Sequence, residues 1–408
     1  MDDPRRTVPS TDSVLADVRL VELAGRIGRA TVKTAVHAAQ ERCRLGEITA
    51  EQIVAVALQS LPTAPTRMRP VINATGVIVH TNLGRAALSR AAVEALALAA
   101  GATDVELDLT TGGRGKRGRS ALQALSAAVP DAEDVHVVNN GAAALALTAA
   151  ALGADGEIVV ARGELVEIGD GFRIPELLES TGARLREVGT TNRVRIDDYQ
   201  RAIGPDTRFV LKVHPSNFVV SGFTSSVSVE ALARLSVPVV ADIGSGLLAP
   251  EARLPDEPDA ASSLRAGAAL VTASGDKLLG GPQCGLLLGR TDLVEALRRH
   301  PLARALRVDK LTLAALEATL TGPVTPVAAA MASQRGDLMR RAERISADLA
   351  GSVEAVAVES LAAVGGGGRL VSSCLARRSN CRVSWQRCSG RSPLPWSDAS
   401  SEASSCST

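Results

Sequence analysis

The sequence predicts an α/β protein in which a parallel sheet carries helices on both faces, preceded by a small helical domain. Two observations support this fold class. Between residues 71 and 320, short β-branched runs alternate with Ala- and Leu-rich helical stretches, which is typical of strand–helix–strand units. Before residue 61 apolar residues recur at helical spacing, and the proline-rich segment 61–70 is predicted to link the two parts.

The first elements are three helical segments within residues 11–60. The second runs over residues 30–44, and the third is capped by Thr49 and ends near Leu61. In the first segment, charged residues separate apolar residues at roughly helical spacing: Val14, Leu15, Val18, Val21 and Leu23.

In the following part, strands are predicted at residues 135–138, 157–160, 209–213, 237–241 and 270–272. Helices are predicted at residues 91–99, 121–128 and 229–235. Because ligands of parallel α/β sheets bind at the carboxyl ends of the strands, residues that follow these strands are the candidates for a functional site.

Composition excludes several classes of function. The formal net charge of +1 gives no global signal for nucleic acid, and 2% aromatic residues argue against a base-stacking surface. We expect no membrane span, no secretory signal in M-D-D-P-R-R, and hence a cytoplasmic protein. The cysteines lack paired C-x-x-C spacing, so no metal site is predicted.

Chemistry concentrates around Lys277, in the segment V-T-A-S-G-D-K-L-L-G-G-P-Q after a predicted strand. A lysine whose pKa is lowered by its surroundings forms imines and then acts as a base. Ser274 is placed to bind a phosphate, and Gly280 and Gly281 let the backbone approach a ligand. We therefore predict that Lys277 holds pyridoxal phosphate as a Schiff base; the alternative is a solvated lysine in a surface turn.

Two further segments agree with this prediction. Asp242 ends the apolar run V-P-V-V-A-D, where a carboxylate needs a partner such as a pyridinium nitrogen, unless it caps the next turn. In V-V-N-N-G-A-A-A a strand ends and a helix opens at Asn140, Gly141 and Ala142. The N–H groups at such a helix start suit a phosphate, although turns of this kind are common.

Arginines supply the candidate anion site. Arg85 ends the segment 69–85, and Arg304 and Arg307 are predicted to share a helical face. Arginine pairs suit phosphates and carboxylates, but the same spacing also occurs on salt-bridged helix surfaces. The basic, glycine-rich segment 109–119 is either a cover for an anionic substrate or a solvated loop.

Three segments together resemble bacterial selenocysteine synthases, the L-seryl-tRNA(Sec) selenium transferases: T-G-V-I-V-H-T-N-L-G-R, S-G-D-K-L-L-G-G-P-Q and R-A-L-R-V-D-K-L-T-L-A-A-L-E-A-T-L. The resemblance implies the aspartate-aminotransferase-like fold of type I pyridoxal-phosphate transferases. It also implies a helical tRNA-binding domain at 1–66 and a cofactor-binding α/β domain at 67–322. Residues 323–366 would begin an incomplete C-terminal small domain, followed at 367–408 by a Ser-, Cys- and Arg-rich tail that we expect to be disordered.

The resemblance also implies a reaction. Serine on tRNA(Sec) loses water on the cofactor to give an aminoacrylyl group, to which selenophosphate adds selenium. Lys277 would be the Schiff-base lysine and proton shuttle, and Asp242 would face the pyridine nitrogen. The N-terminal helices would bind the tRNA, and the family forms rings of dimers. The remaining implied site residues are Asn140, Gly141, Ala142 and Ser274 at the phosphate, and Arg85, Arg304 and Arg307 at the selenophosphate.

The sequence departs from the family pattern at two places. The segment I-G-D-G-F-R places Asp170 near the site instead of a small turn, and the resemblance ends near residue 366. Two other functions stay open. One is a pyridoxal-phosphate ammonia-lyase acting on an amino-sugar acid phosphate, which needs no tRNA-binding domain. The other is an inactive protein of this fold that still binds tRNA.

Overall fold

The structure, a computed structural model, describes residues 8–62, 65–66, 68–167, 171–215, 221–352, 354–360 and 362–365, and the backbone of 368–370. It divides into two compact units, Met1–Ile72 and Asn73–Thr408. Within the described ranges, no helix is long and apolar enough to cross a membrane. The finer domain boundaries given above stay predictions.

In its described residues, the first unit is a small bundle of four α-helices, where the sequence predicts helical segments. Thr49 forms a capping box with Gln52 before the last of them, and Gly28 turns the chain at a φ of 92° between the second and third. Val14, Leu20, Val32, Val36 and Ile53 form part of its core. The helices are α1 (Thr11–Leu15), α2 (Val18–Ile27), α3 (Arg29–Arg44) and α4 (Ile53–Ser60).

The second unit contains a seven-stranded sheet and a separate three-stranded sheet. The strands are β1 (Val77–Val79), β2 (Asp134–Val138), β3 (Glu157–Ala161), β4 (Arg184–Val188), β5 (Thr207–Val213), β6 (Val239–Gly244), β7 (Leu270–Ser274), β8 (Gly285–Gly289), β9 (Ala363–Gly365) and β10 (Gly368–Leu370). The large sheet has the order β2-β8-β7-β6-β5-β3-β4, and β1, β9 and β10 form the small one.

The described part of the second unit also contains twelve α-helices. They are α5 (Arg90–Ala99), α6 (Arg119–Ala128), α7 (Gly141–Leu152), α8 (Ile174–Glu179), α9 (Ile196–Ala202), α10 (Val229–Leu232), α11 (Ala260–Arg265), α12 (Thr291–Arg299), α13 (Pro301–Ala305), α14 (Lys310–Thr321), α15 (Pro326–Ala332) and α16 (Arg335–Leu349). Leu147 of α7 and Leu178 of α8 pack against one face of the sheet. Leu125 of α6 and Leu316 of α14 belong to a core on the other face.

The large sheet confirms the α/β prediction with one correction. Strands β3 to β7 run parallel, but β8 is antiparallel to both β2 and β7. The chain between Ser274 and Gly285 is too short for the crossover that a parallel neighbour requires. The sequence analysis missed β8 and also β4, a sheet edge whose R-L-R-E-V sequence is largely exposed. The carboxyl ends of β5, β6 and β7 therefore meet at one edge.

Candidate active site

Lys277 lies in the turn after β7, at the carboxyl edge of the sheet. Two backbone hydrogen bonds stabilise the turn. The Leu278 N–H donates to the backbone oxygen of Ser245 at 2.8 Å, and the Gly280 N–H donates to the backbone oxygen of Lys277 at 3.1 Å. Burial lowers the pKa of the Lys277 amine, Asp242 opposes that shift, and Arg85 adds to it. A buried amine of this kind is more readily neutral than an exposed lysine, as imine formation requires.

Among the charged groups around the Lys277 amine, Asp242 has the largest effect on its pKa. The Thr272 hydroxyl donates to Asp242 Oδ1 at 2.7 Å across the β6–β7 pair. Burial raises the pKa of the Asp242 carboxyl, while the Thr272 hydrogen bond and the Lys277 charge lower it. Asp242 lies within β6, two residues before the strand ends at Gly244 rather than at its end as predicted, and its carboxylate is suited to a cationic ring nitrogen.

Asn140, Gly141, Ala142 and Ser274 come together at the start of α7. Asn140 caps this helix, since its Oδ1 accepts from the Ala143 N–H at 2.8 Å. A Cβ on Gly141 would lie 2.5 Å from Ser274 Oγ, so only glycine leaves the hydroxyl its place. The first N–H groups of a helix lack partners within the helix. The four residues thus form a cradle with hydrogen-bond donors for an anionic group.

Arg85 joins the site through an acid that the sequence analysis did not select. Its Nη1 lies 2.8 Å from the carboxylate Oδ2 of Asp276, and the Ala86 N–H donates to the backbone oxygen of Asp276 at 3.1 Å. Arg85 has a φ of 64°, a conformation that costs energy in a non-glycine residue. Asp276 adjoins Lys277, but its partner is 191 residues away in sequence, so spacing alone did not reveal the pair.

Arg304 and Arg307 do not share a helical face, and that prediction is wrong. Helix α13 ends at Ala305, before Arg307. The backbone of Arg307 pairs with that of Val138 as in an antiparallel sheet, and its side-chain Nη1 lies 3.5 Å from Glu106 Oε1. Both arginines instead line a cavity of about 950 Å³. Other basic residues line it too, namely Lys116, Arg117, Arg119, Arg298 and Arg299. Among the described residues, neither Arg85 nor Lys277 contributes to its lining.

The basic segment 109–119 is tied down by ion pairs. Arg117 lies 3.1 Å from Glu106 and Arg119 lies 3.2 Å from Asp108, while most residues of the segment are exposed, so both the cover and the solvated loop stay open. The predicted position of Asp170 lies outside the described residues. The cysteines from Cys374 onward also lie outside them, and Cys43 and Cys284 are buried free thiols. In the part that the structure describes, no cluster of three metal-ligating side chains occurs.

A second cavity, of about 610 Å³, is lined by Asp242 and by four buried or partly buried titratable residues that the sequence analysis did not select. These are Glu164, Lys212, His214 and Glu257. Lys212 and His214 lie at the carboxyl end of β5. Because ligand sites form at the carboxyl ends of parallel strands, a search of every strand end in the sequence could have found them.

Comparison with known proteins identifies the family. A family model described as L-seryl-tRNA selenium transferase matches residues 71–381, and one described as selenocysteine synthase N terminal matches residues 5–44. This chain belongs to the L-seryl-tRNA selenium transferase family. The match extends past residue 366, where the sequence analysis placed the end of the resemblance. Because this is a family of pyridoxal-phosphate enzymes, the cofactor prediction is confirmed.

Curated relatives agree with this assignment. The L-seryl-tRNA(Sec) selenium transferase of Moorella thermoacetica is 48% identical over 321 residues, which cover 74% of this chain and 68% of the relative. That of Hyphomonas neptunium is 40% identical over 396 residues, covering 89% and 84%. A solved structure of D-glucosaminate-6-phosphate ammonia-lyase is 20% identical, with a TM-score of 0.54 over 72% of this chain and 77% of that chain. It confirms the fold alone.

Proposed function

We propose that this chain converts L-seryl-tRNA(Sec) into L-selenocysteinyl-tRNA(Sec) in the cytoplasm, with pyridoxal phosphate as cofactor and selenophosphate as selenium donor. The observation that carries the proposal is the buried Lys277 amine beside Asp242 and the Arg85–Asp276 pair, in a chain of this family. A buried lysine amine with a lowered pKa is the group that such a reaction needs.

The residues present fit pyridoxal phosphate. Asn140, Gly141, Ala142 and Ser274 would hold its phosphate, because the helix start and the Ser274 hydroxyl offer donors in the space that a Gly141 Cβ would fill. Asp242 would hold a proton on the pyridine nitrogen, helped by the Thr272 hydroxyl that fixes its orientation. Lys277 would anchor the cofactor.

The cofactor, when bound, supplies an electron sink that stabilises negative charge at the α-carbon of the seryl group. Lys277 would take the proton from that carbon, since its buried amine gives up its own proton more easily than an exposed lysine does. Arg85, held by Asp276, would place a positive charge beside the reacting group without moving.

We further propose that selenophosphate binds to arginines from two copies of the chain. Arg85 lies beside Lys277, whereas Arg304 and Arg307 line the separate 950 Å³ cavity. A second copy would then supply Arg304 and Arg307 to the Arg85 site of the first, as the ring of dimers expected of the family would allow. Guanidinium groups suit a phosphate-like anion because their donors match its oxygens.

The first unit would bind the tRNA. Arg26, Arg29 and Lys33 are exposed where α2 passes into α3, a position suited to phosphate contacts. The family match over residues 5–44 covers the first three helices of this unit. An ammonia-lyase acting on a small sugar acid has no use for it, and this favours the tRNA substrate.

The test is incubation of the full chain with pyridoxal phosphate, seryl-tRNA(Sec) and radioactive selenophosphate, followed by hydrolysis and detection of selenocysteine. We expect product with seryl-tRNA(Sec), none from Lys277→Ala, and little with seryl-tRNA(Ser). Borohydride is expected to fix the cofactor to Lys277, and Lys310→Ala serves as the control that keeps this label. Absence of product from folded, cofactor-loaded protein contradicts the proposal, and ammonia release from an amino-sugar acid phosphate supports the lyase instead.

A further inference from the structure

A basic groove lies beside strand β2 in the second unit, and we call it the β2 groove. It is the cavity of about 950 Å³, and residues 134–137 of β2 form part of its lining. Strand β2 is the edge of the seven-stranded sheet, so no further strand of the described residues pairs along its outer side. At about 3.3 Å per residue, the strand from Asp134 to Val138 is about 13 Å long. The groove therefore offers an elongated surface.

The β2 groove is strongly positive. Among the described residues, Lys116 and six arginines line it, together with only two carboxylates, Asp134 and Glu295. Glu106 and Asp108 pair with three of the arginines from outside the lining. Seven cations against four carboxylates leave an excess of three positive charges, in a chain whose formal net charge is +1. A cleft lined by charge of one sign attracts ions of the opposite sign.

Several hydrogen-bond donors of the groove lack an acceptor. Among the described residues, neither Lys116 nor Arg304 forms an ion pair, and both side chains belong to exposed residues. Arg117 donates from Nη1 to Glu106 and from Nη2 to the backbone oxygen of Val308, but its Nε is buried without a hydrogen-bond partner. A buried N–H without an acceptor costs free energy. The oxygens of a bound anion would supply the acceptors that the groove lacks.

The cations lie at both ends of β2 rather than at one point. Arg298 Nη2 donates to the backbone oxygen of Val135 at 2.9 Å, near the beginning of the strand. At the other end, the backbone of Arg307 pairs with that of Val138, and Arg117 donates to the residue after Arg307. Because about 13 Å of strand separates these ends, a single small anion meets only one of them, whereas an extended polyanion meets both.

A single strand of nucleic acid has the shape and charge that this groove fits. Proteins that bind such strands combine a positive groove along the backbone with aromatic rings for the bases. None of the described lining residues is Phe, Tyr or Trp, so the groove offers contacts to phosphates and no platform for stacking. Its recognition of a strand would therefore be electrostatic and independent of base sequence.

We propose that the β2 groove binds the backbone phosphates of an extended RNA strand, namely the 3′-terminal strand that carries the seryl group. The inference rests on the proposed function. There, the seryl ester at the 3′ end must reach Lys277, and Arg307, at one end of the groove, binds selenophosphate at the same reaction site. The groove thus takes the strand that leads to that site, and Lys116, Arg298 and Arg299 are its new phosphate contacts.

The test measures the Kd of tRNA(Sec) for the full chain by fluorescence anisotropy, between about 0.05 and 0.3 M potassium chloride. Each phosphate contact to a single strand adds about 0.7 to the slope of log Kd against log salt concentration. We expect Arg299→Ala to lower that slope by about 0.7 and Lys116→Ala/Arg299→Ala to lower it by about 1.4. With tRNA(Sec) that lacks its single-stranded 3′ end, the wild type is expected to show a reduced slope that these variants do not lower further.

The matched control is Arg234→Ala. Arg234 and Arg299 are 76% and 79% exposed, and each pairs with a glutamate four residues earlier on its helix, Glu230 and Glu295. Of the two arginines only Arg299 lines the groove. The slope for Arg234→Ala is expected to equal that of the wild type, and a fall as large as in Arg299→Ala overturns the proposal.

An unchanged slope with complete tRNA(Sec) in folded Lys116→Ala/Arg299→Ala protein also overturns it. So does an equal fall with the shortened tRNA, because the groove would then bind another part of the RNA. A higher KM for selenophosphate without a change in slope assigns the groove to a free anion instead. If the double variant does not fold, Arg299→Ala alone decides. Wild-type protein that does not bind tRNA(Sec) contradicts the proposed function itself, whereas bound tRNA with an unchanged slope overturns only the role of the groove.

Discussion

Replacement of Gly141 by alanine is expected to weaken cofactor binding by displacing a neighbouring hydroxyl group. The added Cβ would lie 2.5 Å from Ser274 Oγ, about 1 Å inside a normal contact of about 3.5 Å. The Ser274 hydroxyl must therefore turn away from the start of α7. The hydrogen bond that it would otherwise donate to the cofactor phosphate is charge-assisted and contributes about 1.5–3 kcal/mol.

This free energy corresponds to a roughly 10- to 150-fold rise in the Kd of pyridoxal phosphate. The assay is an absorbance titration of cofactor-free protein with pyridoxal phosphate for Gly141→Ala, Ser274→Ala and the double variant. In the double variant the new Cβ would be 3.7 Å from the Cβ of residue 274, which is an ordinary contact. The double variant is therefore expected to bind as Ser274→Ala alone does, so that the two effects are not additive.

The control is Gly204→Ala, because no atom lies within 4 Å of the Cβ that it adds. Its Kd is expected to match the wild type. The reasoning is refuted if Gly141→Ala also binds pyridoxal phosphate like the wild type. It is equally refuted if the double variant loses affinity by the product of the two single losses, since Ser274 would then not be the group through which the alanine acts.

Three further results are expected. Lys212→Met leaves the buried Glu164 carboxylate without its cationic partner and is expected to lower the free energy of unfolding by about 3–5 kcal/mol in urea titrations. Adding Glu164→Gln should restore the stability, and no loss in Lys212→Met would show that the ion pair does not stabilise the fold. Burial lowers the pKa of His136 from 6.5 to about 4, so protonation favours the unfolded state and stability should fall by roughly 3 kcal/mol as the pH drops from 6.5 to about 4. Thermal unfolding of His136→Gln over the same pH range should lack that fall. Arg85→Lys removes the planar guanidinium group with its paired N–H donors and should raise the KM for selenophosphate about tenfold or more. An unchanged KM would show that Arg85 does not bind this anion.

The sequence alone predicted that several candidate site residues would lie close together, because they occupy short segments at strand ends. Ser274 and Lys277 are three residues apart in one turn, and Asn140 to Ala142 are consecutive. In a parallel sheet the carboxyl ends of neighbouring strands meet at one edge, so the alternation of strands and helices was enough to predict that these segments meet. The antiparallel β8 altered the sheet but not that edge, because it returns from the Lys277 turn itself.

The arginines show where spacing misleads. Arg304 and Arg307 are at helical spacing, but α13 ends between them at Ala305, and Arg307 pairs with the backbone of Val138 on the edge strand β2. Competition between a helix end and a strand partner is a tertiary effect that a local pattern does not contain. The same holds for the partner of Arg85, since nothing near Arg85 in sequence points to Asp276.

The sequence by itself determined the α/β class, the lysine, the capped helix start and the resemblance to one family, because each of these depends on residues close together along the chain. Only the tertiary structure decided which charges surround Lys277. Asp276 is paired with Arg85, and Asp242 acts on the amine from the separate strand β6. The physical reason is that burial and Coulomb interactions depend on distance in space, and folding brings charged groups from separate segments close enough to act on one nitrogen.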